Sequence, residues 1–327
     1  MRRPLITIGL TTFNALDTVK RAINSAFSQT WHPIEVVAVD DCSDDGTFFL
    51  LEQIAEENSK LRVFRNRVNG GVSVSRNRIL KEARGEFVVF FDDDDQSVPE
   101  RITEQYSRII DYEKRFAAGA PVVCYTAREI NYPNGERFLA PTMGQATAKS
   151  APAGLAVAHR ILIGTPLEDA YGACPTCSQM ARLETFCLVG GFDPNLRRGE
   201  DTDFNIRLAS IGGHFVGIAH PLVIQNMTKT SDKSLAEEYR NAKILLRKHR
   251  SIIGNQVQYN FCCDWLNLKQ SWLECHRIEF ACQLVMLVIK HPVLSLARLR
   301  AAFNNIKLNQ LFSRFHLADE STKTYDN

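Results

Sequence analysis

The stretch that decides the fold is Gly85-Glu-Phe-Val-Val-Phe-Phe-Asp-Asp-Asp-Asp95. Five apolar residues, 87–91, run straight into four aspartates, which reads as a buried strand with charge gathered at its carboxyl end. Packed that closely, the carboxylates of Asp92, Asp93, Asp94 and Asp95 repel one another unless a cation is present. Hard oxygen ligands suit Mg2+ or Mn2+, ions that one or two protein carboxylates hold together with phosphate oxygens. The plainer alternative is a solvated acidic turn. An EF-hand is disfavoured because the internal Gly and the closing Glu are missing at their offsets.

Working outward, the same strand-helix alternation recurs on the amino-terminal side. Residues 5–10 form a short apolar run, and 15–29 place Val19, Ala22, Ile23, Ala26 and Phe27 at helical spacing. Residues 34–39 and 61–65 read as strands, with helices at 46–58 and 73–83 between and after them. Nearly continuous apolar strands alternating with helices imply an α/β fold with a doubly wound, mostly parallel, Rossmann-like sheet. Ligands of such sheets sit at the carboxyl ends of the strands. The polar clusters fall there: 11–14 after the first strand, Asp40 and Asp41 after the second, and the aspartate run after the fourth. Beyond residue 121 the pattern loosens to a strand at 122–125, a turn at Pro133-Asn-Gly135 and a loop at 143–152 whose Ala, Thr, Ser and Gly content reads as mobile. A second acidic centre follows at Gly199-Glu-Asp-Thr-Asp203, then a helix to residue 210 and a strand at 214–218.

Glu200 and Asp201 have two readings. Acids in a first helical turn favour the helix dipole, and a carboxylate folded back over the sheet edge could serve as a general base facing the metal site. Thr11, Phe13 and Asn14 offer an aromatic face and polar groups for a base or ribose beside Asp41. Neither GxGxxG nor GxxxxGK[ST] occurs in the first strand-helix turn, so the dinucleotide and P-loop readings fail and the phosphates fall to a metal.

Composition bounds the rest. The 327 residues carry 39 Lys+Arg against 37 Asp+Glu, with 45% hydrophobic and 9% aromatic content, enough for a sizeable core and without a global basic field to favour nucleic acid. The apolar start is too short for a secretory signal, and the apolar run 284–289 is far short of the roughly 20 residues of a spanning helix. Nine cysteines, an odd number, favour reduced thiols. The expected setting is therefore cytoplasmic. Cys174-Pro-Thr-Cys177 lacks a second ligand pair, and Asn226-Met-Thr228 is formally a glycosylation acceptor; the bland reading is preferred for both.

Six segments together carry a family resemblance: Thr11-Thr-Phe-Asn14, Val39-Asp-Asp-Cys-Ser-Asp-Asp-Gly-Thr47, Asn69-Gly-Gly-Val-Ser73 with Ser75-Arg-Asn77, the strand-aspartate stretch, Gly190-Gly-Phe-Asp193 and Gly199-Glu-Asp-Thr-Asp-Phe204. In this order they resemble the inverting glycosyltransferases of family 2, which have the GT-A fold, over residues 4–225. The resemblance implies transfer of a sugar from a nucleoside-diphosphate donor, most often a UDP-sugar, to an acceptor hydroxyl. It implies Thr11 and Phe13 around the base, Asp41 on the uracil, Arg76 near the nucleotide, Asp93 near the ribose, and Asp92 among the residues that bind the nucleotide-sugar. Asp94, with Asp92, would hold Mn2+ or Mg2+ on the diphosphate, the register within the run being open by one residue. Asp201 matches the catalytic base, with Glu200 as second choice. Many relatives carry a His after the last sheet strand where Gln225-Asn226 stands here, which puts a third protein ligand in doubt.

Residues 1–230 are thus expected to form the nucleotide-sugar-binding and catalytic domain, and 231–327 a helical region. Between Glu279 and Asp319 there is no acid, while Lys290, Arg298, Arg300, Lys307 and Arg314 are present, and Leu296, Leu299, Phe303 and Ile306 recur at helical spacing. Such a helix either lies in an anionic membrane interface at the inner face of the cell membrane or packs on the catalytic domain. The former suits a saccharide or lipid-linked saccharide acceptor in polysaccharide or glycolipid assembly. Two other functions compete. A sugar-phosphate nucleotidyltransferase would need a Gly-rich basic loop where Thr11-Thr-Phe-Asn14 stands, and a non-catalytic nucleotide-sugar or metal-binding module could dispense with Glu200-Asp201.

Overall fold

The computed structural model describes residues 3–228, 234–303, 310, 311 and 314. The chain divides into two compact units, 1–154 with 169–228, and 155–168 with 229–327. Segment 155–168, which the sequence reading left in the first region, packs with the second.

The first unit begins with β1 (Ile6–Thr12), α1 (Val19–Phe27), β2 (Ile34–Asp40), α2 (Thr47–Glu57), β3 (Leu61–Arg65), α3 (Val72–Glu82) and β4 (Phe87–Asp92), close to the expected spans. It continues with β5 (Gln96–Ser97), α4 (Arg101–Tyr112), β6 (Val122–Asn131), β7 (Arg137–Ala140), α5 (Gly154–Leu162) as the link, β8 (Gln179–Arg182), α6 (Leu183–Val189), α7 (Glu200–Ser210) and β9 (His214–Asn226). The sheet order is β3-β2-β1-β4-β8-β6-β9-β5, with β7 on β6. Strands β1 to β4 pair in parallel, as do β6 and β9, while β8, β5 and β7 join antiparallel. Strands β6 and β9 are longer than the sequence suggested because their pairing resumes past a register shift at Thr126/Ala127.

Ile6, Ile8, Leu10, Val36, Ala38, Phe87 and Val89 are fully buried, and Val19, Ala22, Ile23 and Ala26 of α1 close over them. Each such large side chain contributes about 2 kcal/mol of burial. On the other face α3 lies very close to β1: a Cβ on Gly9 would stand 2.5 Å from Ile79 Cγ2. Residues 143–152 are not loosely held. Arg108, itself buried, donates to the carbonyls of Gly144 and Ala146, and the amides of Gln145 and Ala146 donate to Asp169.

The second unit is helical: α8 (Leu235–Lys248), α9 (Arg250–Ile253), α10 (Gln256–Leu273), α11 (Arg277–Lys290) and α12 (Pro292–Phe303). Ser234 and Asn255 cap α8 and α10 by accepting from the amides three residues on. Segment 155–168 belongs here because His159 Nε2 lies 3.0 Å from the Ile252 carbonyl and the Cys262 thiol donates to the Leu162 carbonyl. Of the expected stripe only the first two members have described side chains. Leu296 is exposed and Leu299 half-buried, while the Phe303 side chain and Ile306 lie outside the described residues. Among the described residues no helix is long and apolar enough to cross a membrane.

Candidate active site

The site forms where β1 has β2 on one side and β4 on the other, so that the crossover direction reverses. In register, Thr12 pairs with Asp40 and Thr11 with Asp92, which brings three polar strand ends to one level. An open α/β sheet leaves its ligand crevice at such a point. Phe13, 48% exposed, projects there, and its amide donates to Asp93 Oδ2 at 3.0 Å. Asn14 takes φ 48°, a left-handed conformation an Asn tolerates, and ties the loop to β2 by accepting from the Asp44 amide.

Asp40 and Asp41 serve loops. Asp40 accepts from the amide and hydroxyl of Ser43, with Arg65 Nε 3.4 Å away. Asp41 accepts from Asn66 Nδ2 and the Gly70 amide on one oxygen and from the Gly71 amide on the other. Recognition of a base by Asp41 therefore has only the residual lone pairs to use.

Helix α3 gathers the second centre. Ser73, Arg76 and Asn77 share one helical face by their three- and four-residue spacing. Ser73 Oγ donates to the Leu196 carbonyl, and Asn77 exchanges hydrogen bonds with the backbone of Phe192. Between them Arg76, 4% exposed, donates through Nη1 to Glu200 Oε1 at 2.6 Å and reaches Asp92 Oδ1 through Nη2 at 3.4 Å. Burial works against its charge, but Glu200, Asp92 and Asp201 outweigh burial and raise its pKa. The two acidic centres, about a hundred residues apart in sequence, thus meet across one guanidinium. Sequence reasoning placed Arg76 near the nucleotide; the structure makes it the link.

Within the strand-end run the four carboxylates differ. Asp93 is pushed up to about 8 by burial, then by the charge of Asp94, with the Phe13 amide opposing. Asp94 Oδ2 accepts from Thr228 Oγ1 at 2.6 Å, and its carbonyl accepts from Arg21 and from Asn226 Nδ2. Asp95 accepts from the Asn226 amide on Oδ1, while its buried Oδ2 has no hydrogen-bond partner among the described residues. Burial and the neighbouring Asp94 and Asp92 raise Asp95 well above the usual carboxylate range. An unpartnered buried oxygen among like charges fits a hard divalent cation.

Asp92, Asp95 and Cys177 each offer one ligand atom, all within 4.8 Å of one another. This set shares Asp92 with the sequence-based pair and replaces Asp94 by the next residue. Cys177 had been set aside because its CxxC stood alone in sequence. Only the antiparallel insertion of β8 beside β4 brings it under the acid run. Its thiol is raised by burial, which makes it a poor ligand unless the ion itself ionises it.

At the helix start, Asp201 accepts on Oδ1 from the amide and hydroxyl of Thr202, and Oδ2 has no hydrogen bond among the described residues. Glu200 is buried against Arg76, and burial, then the neighbouring Asp201, raises it while Arg76 opposes. Asn226 and Thr228, unremarkable in sequence apart from the glycosylation pattern, pin Asp94 and Asp95, and Gln225 accepts from Arg128.

A mixed sheet with strand-end carboxylates at its switch point defines the GT-A class. Residues 7–167 match the family model described as Glycosyl transferase family 2. The Escherichia coli UDP-Glc:alpha-D-GlcNAc-diphosphoundecaprenol beta-1,3-glucosyltransferase WfaP is 34% identical over 31% of this chain and 39% of its own length. The succinoglycan biosynthesis protein ExoO of Rhizobium meliloti is 38% identical over 36% of this chain and 32% of its own. The chain therefore spans well under half of these curated relatives. The S. aureus TarS 1–349 structure in complex with UDP-GlcNAc shares the fold with a TM-score of 0.59 at 18% identity, covering 97% of this chain and 92% of that one.

Proposed function

We propose that the chain is an inverting, metal-dependent glycosyltransferase that moves a sugar from a nucleoside-diphosphate donor, a UDP-sugar in the first instance, to a hydroxyl of a saccharide or lipid-linked saccharide. The process is assembly of cell-surface polysaccharide or glycolipid, with peripheral contact at a membrane. The observation that carries this reading is Arg76, which brings Asp92 of the strand-end run and Glu200, next to Asp201, into one place. The family match, the UDP-sugar named for the E. coli relative and the UDP-GlcNAc complex of TarS support the donor class.

In this mechanism Thr11, Phe13 and Asn14 receive the base and ribose, with Asp41 and Asp93 beside them. Asp92 and Asp94 would hold a divalent cation, which when bound would supply charge neutralisation for the leaving diphosphate. Asp201 Oδ2 takes the proton from the acceptor hydroxyl, and its lack of another donor leaves it free to do so. Glu200, held by Arg76, positions the helix start. A single displacement inverts the anomeric carbon and needs no enzyme nucleophile. A second metal reading rests on the Asp92, Asp95 and Cys177 grouping. Manganese titrations of Asp94→Asn and Asp95→Asn decide between the two by which variant loses affinity.

The test is calorimetric titration of UDP-, GDP- and dTDP-sugars with and without manganese, followed by transfer assays on Asp201→Asn. Binding of a UDP-sugar with loss of transfer is expected; an active Asp201→Asn enzyme moves the base to Glu200 or elsewhere.

A further inference from the structure

The helical unit carries an apolar surface that its own packing does not use. On α11, Leu287 is 1% exposed and Phe280 and Leu284 are half-buried, so these form the inner side. On the opposite arc Ile278, Cys282, Val285 and Ile289 recur at intervals of four, three and four residues, one line along a helix. All four are exposed, Ile278 at 84%, Val285 at 58% and Ile289 at 69%, and Met286 and Val288 flank them, also exposed. The line resumes on α12 with Val293 at 80% and Leu296 at 55%, then Arg300 one turn on, while Ser295 on the other side is 1% exposed. Single exposed apolar residues are ordinary, but a run of this length marks an interaction surface.

Charge indicates what covers it. Glu279, in the first turn of α11, is the only acid of the two helices, and none follows until Asp319, whereas Lys290, Arg298, Arg300, Lys307 and Arg314 fall in that interval. Of these, Arg298 is packed over the Trp265 ring and against Gly164, Lys290 stands 3.6 Å from Asp264, and Arg300 is exposed. A second copy would set the acid-poor carboxyl end of this face, with Arg300 exposed, against the same end of its partner, which offers Arg300 no countercharge. At about 1.5 Å per residue, the 14 residues of α11 fall well short of a hydrocarbon core of roughly 30 Å. The helix can therefore lie in an interface but cannot cross it.

We propose that the outer face of α11 and α12 seats on an anionic lipid surface. Ile278, Val285, Ile289, Val293 and Leu296 enter the headgroup-acyl boundary, and Arg300 meets lipid phosphates. This sharpens the membrane contact of the proposed function and moves it from the 296–306 stripe to α11, and it is tested without substrate so that it can fail independently of the transfer reaction.

The experiment is co-sedimentation of the full chain with phosphatidylglycerol-phosphatidylcholine vesicles and with phosphatidylcholine vesicles alone. Comparison variants are the doubly substituted Ile289→Asp with Val293→Asp, Arg300→Glu, and Asp201→Asn. Wild type and Asp201→Asn are expected to bind the anionic vesicles, roughly tenfold better than the neutral ones, and the double variant to lose at least about tenfold with an unchanged melting temperature. Arg300→Glu should weaken only the anionic binding. No binding by wild type, or equal binding by the double variant, overturns the proposal. So does a wild-type dimer in sedimentation equilibrium that the double variant converts to monomer without any vesicle binding, since that outcome gives the face to a second copy.

Discussion

At the end of β4, four carboxylates share one turn, and burial with mutual repulsion raises Asp93 and Asp95. At the start of α7, two carboxylates stand side by side, yet one is held by Arg76 and the other is half-buried with an oxygen that accepts no hydrogen bond among the described residues. The residue types are the same, and the environments differ in which countercharge each has. Glu200 has a guanidinium built into the fold, whereas the strand-end run is under-compensated until a cation arrives. One centre is therefore suited to binding a charged ligand and the other to moving a proton, the separation of roles that unlike surroundings impose on like groups.

Four measurements would break or sharpen that contrast. Asp201→Asn is expected to lower the transfer rate by about a thousandfold while UDP affinity stays within twofold of wild type; a parallel loss of UDP binding would merge the two centres into one. Arg76→Ala removes the shared guanidinium and leaves Glu200 buried without its countercharge, and urea unfolding should show a loss of about 3 kcal/mol. Arg76→Lys should recover only part of it, because a lysine cannot reach both carboxylates in a fork. Asp94→Asn should weaken manganese binding by roughly a hundredfold with transfer falling in step, and manganese affinity left intact would shift the ligand to Asp95.

The smallest effect concerns pH. Asp93 has an ordinary value of 3.8 and is raised to about 8 in the fold. Between those values the folded metal-free chain keeps a proton that the unfolded chain has lost, so this residue favours folding below about pH 4 and its contribution declines as pH climbs toward 8. Melting temperatures of Asp93→Asn against wild type across that range should converge at the acid end and favour the variant at the alkaline end. Saturating manganese should narrow the gap.

The parallel half of the sheet was legible because strands buried on both faces are written as unbroken apolar runs, as in 34–39 and 87–91. Strand β5 is the dipeptide Gln96–Ser97, and β8 is Gln179–Arg182 with two polar residues in four; neither is long or apolar enough to declare itself. Missing β8 meant missing Cys177. The sequence singles out the acids of both clusters, but not what holds each of them, because the attachment of Glu200 to Arg76 and of Asp41 to the Gly70-Gly71 loop are contacts between distant segments. Thr228 gave only the signal of lying two residues beyond Asn226, and its partnership with Asp94 depends on where β9 ends.

Gly9 sits in the middle of β1, away from every charged group of the site, yet it sets the height at which α3 rides over the sheet. Because Arg76 projects from that helix, the spacing between strand and helix works as a calibration for the distance across which one cation joins two acids. An alanine at Gly9 would lift or tilt α3 by a fraction of an ångström. The fault would register as a longer reach from Arg76 to Glu200 and Asp92, with every residue of the candidate site intact.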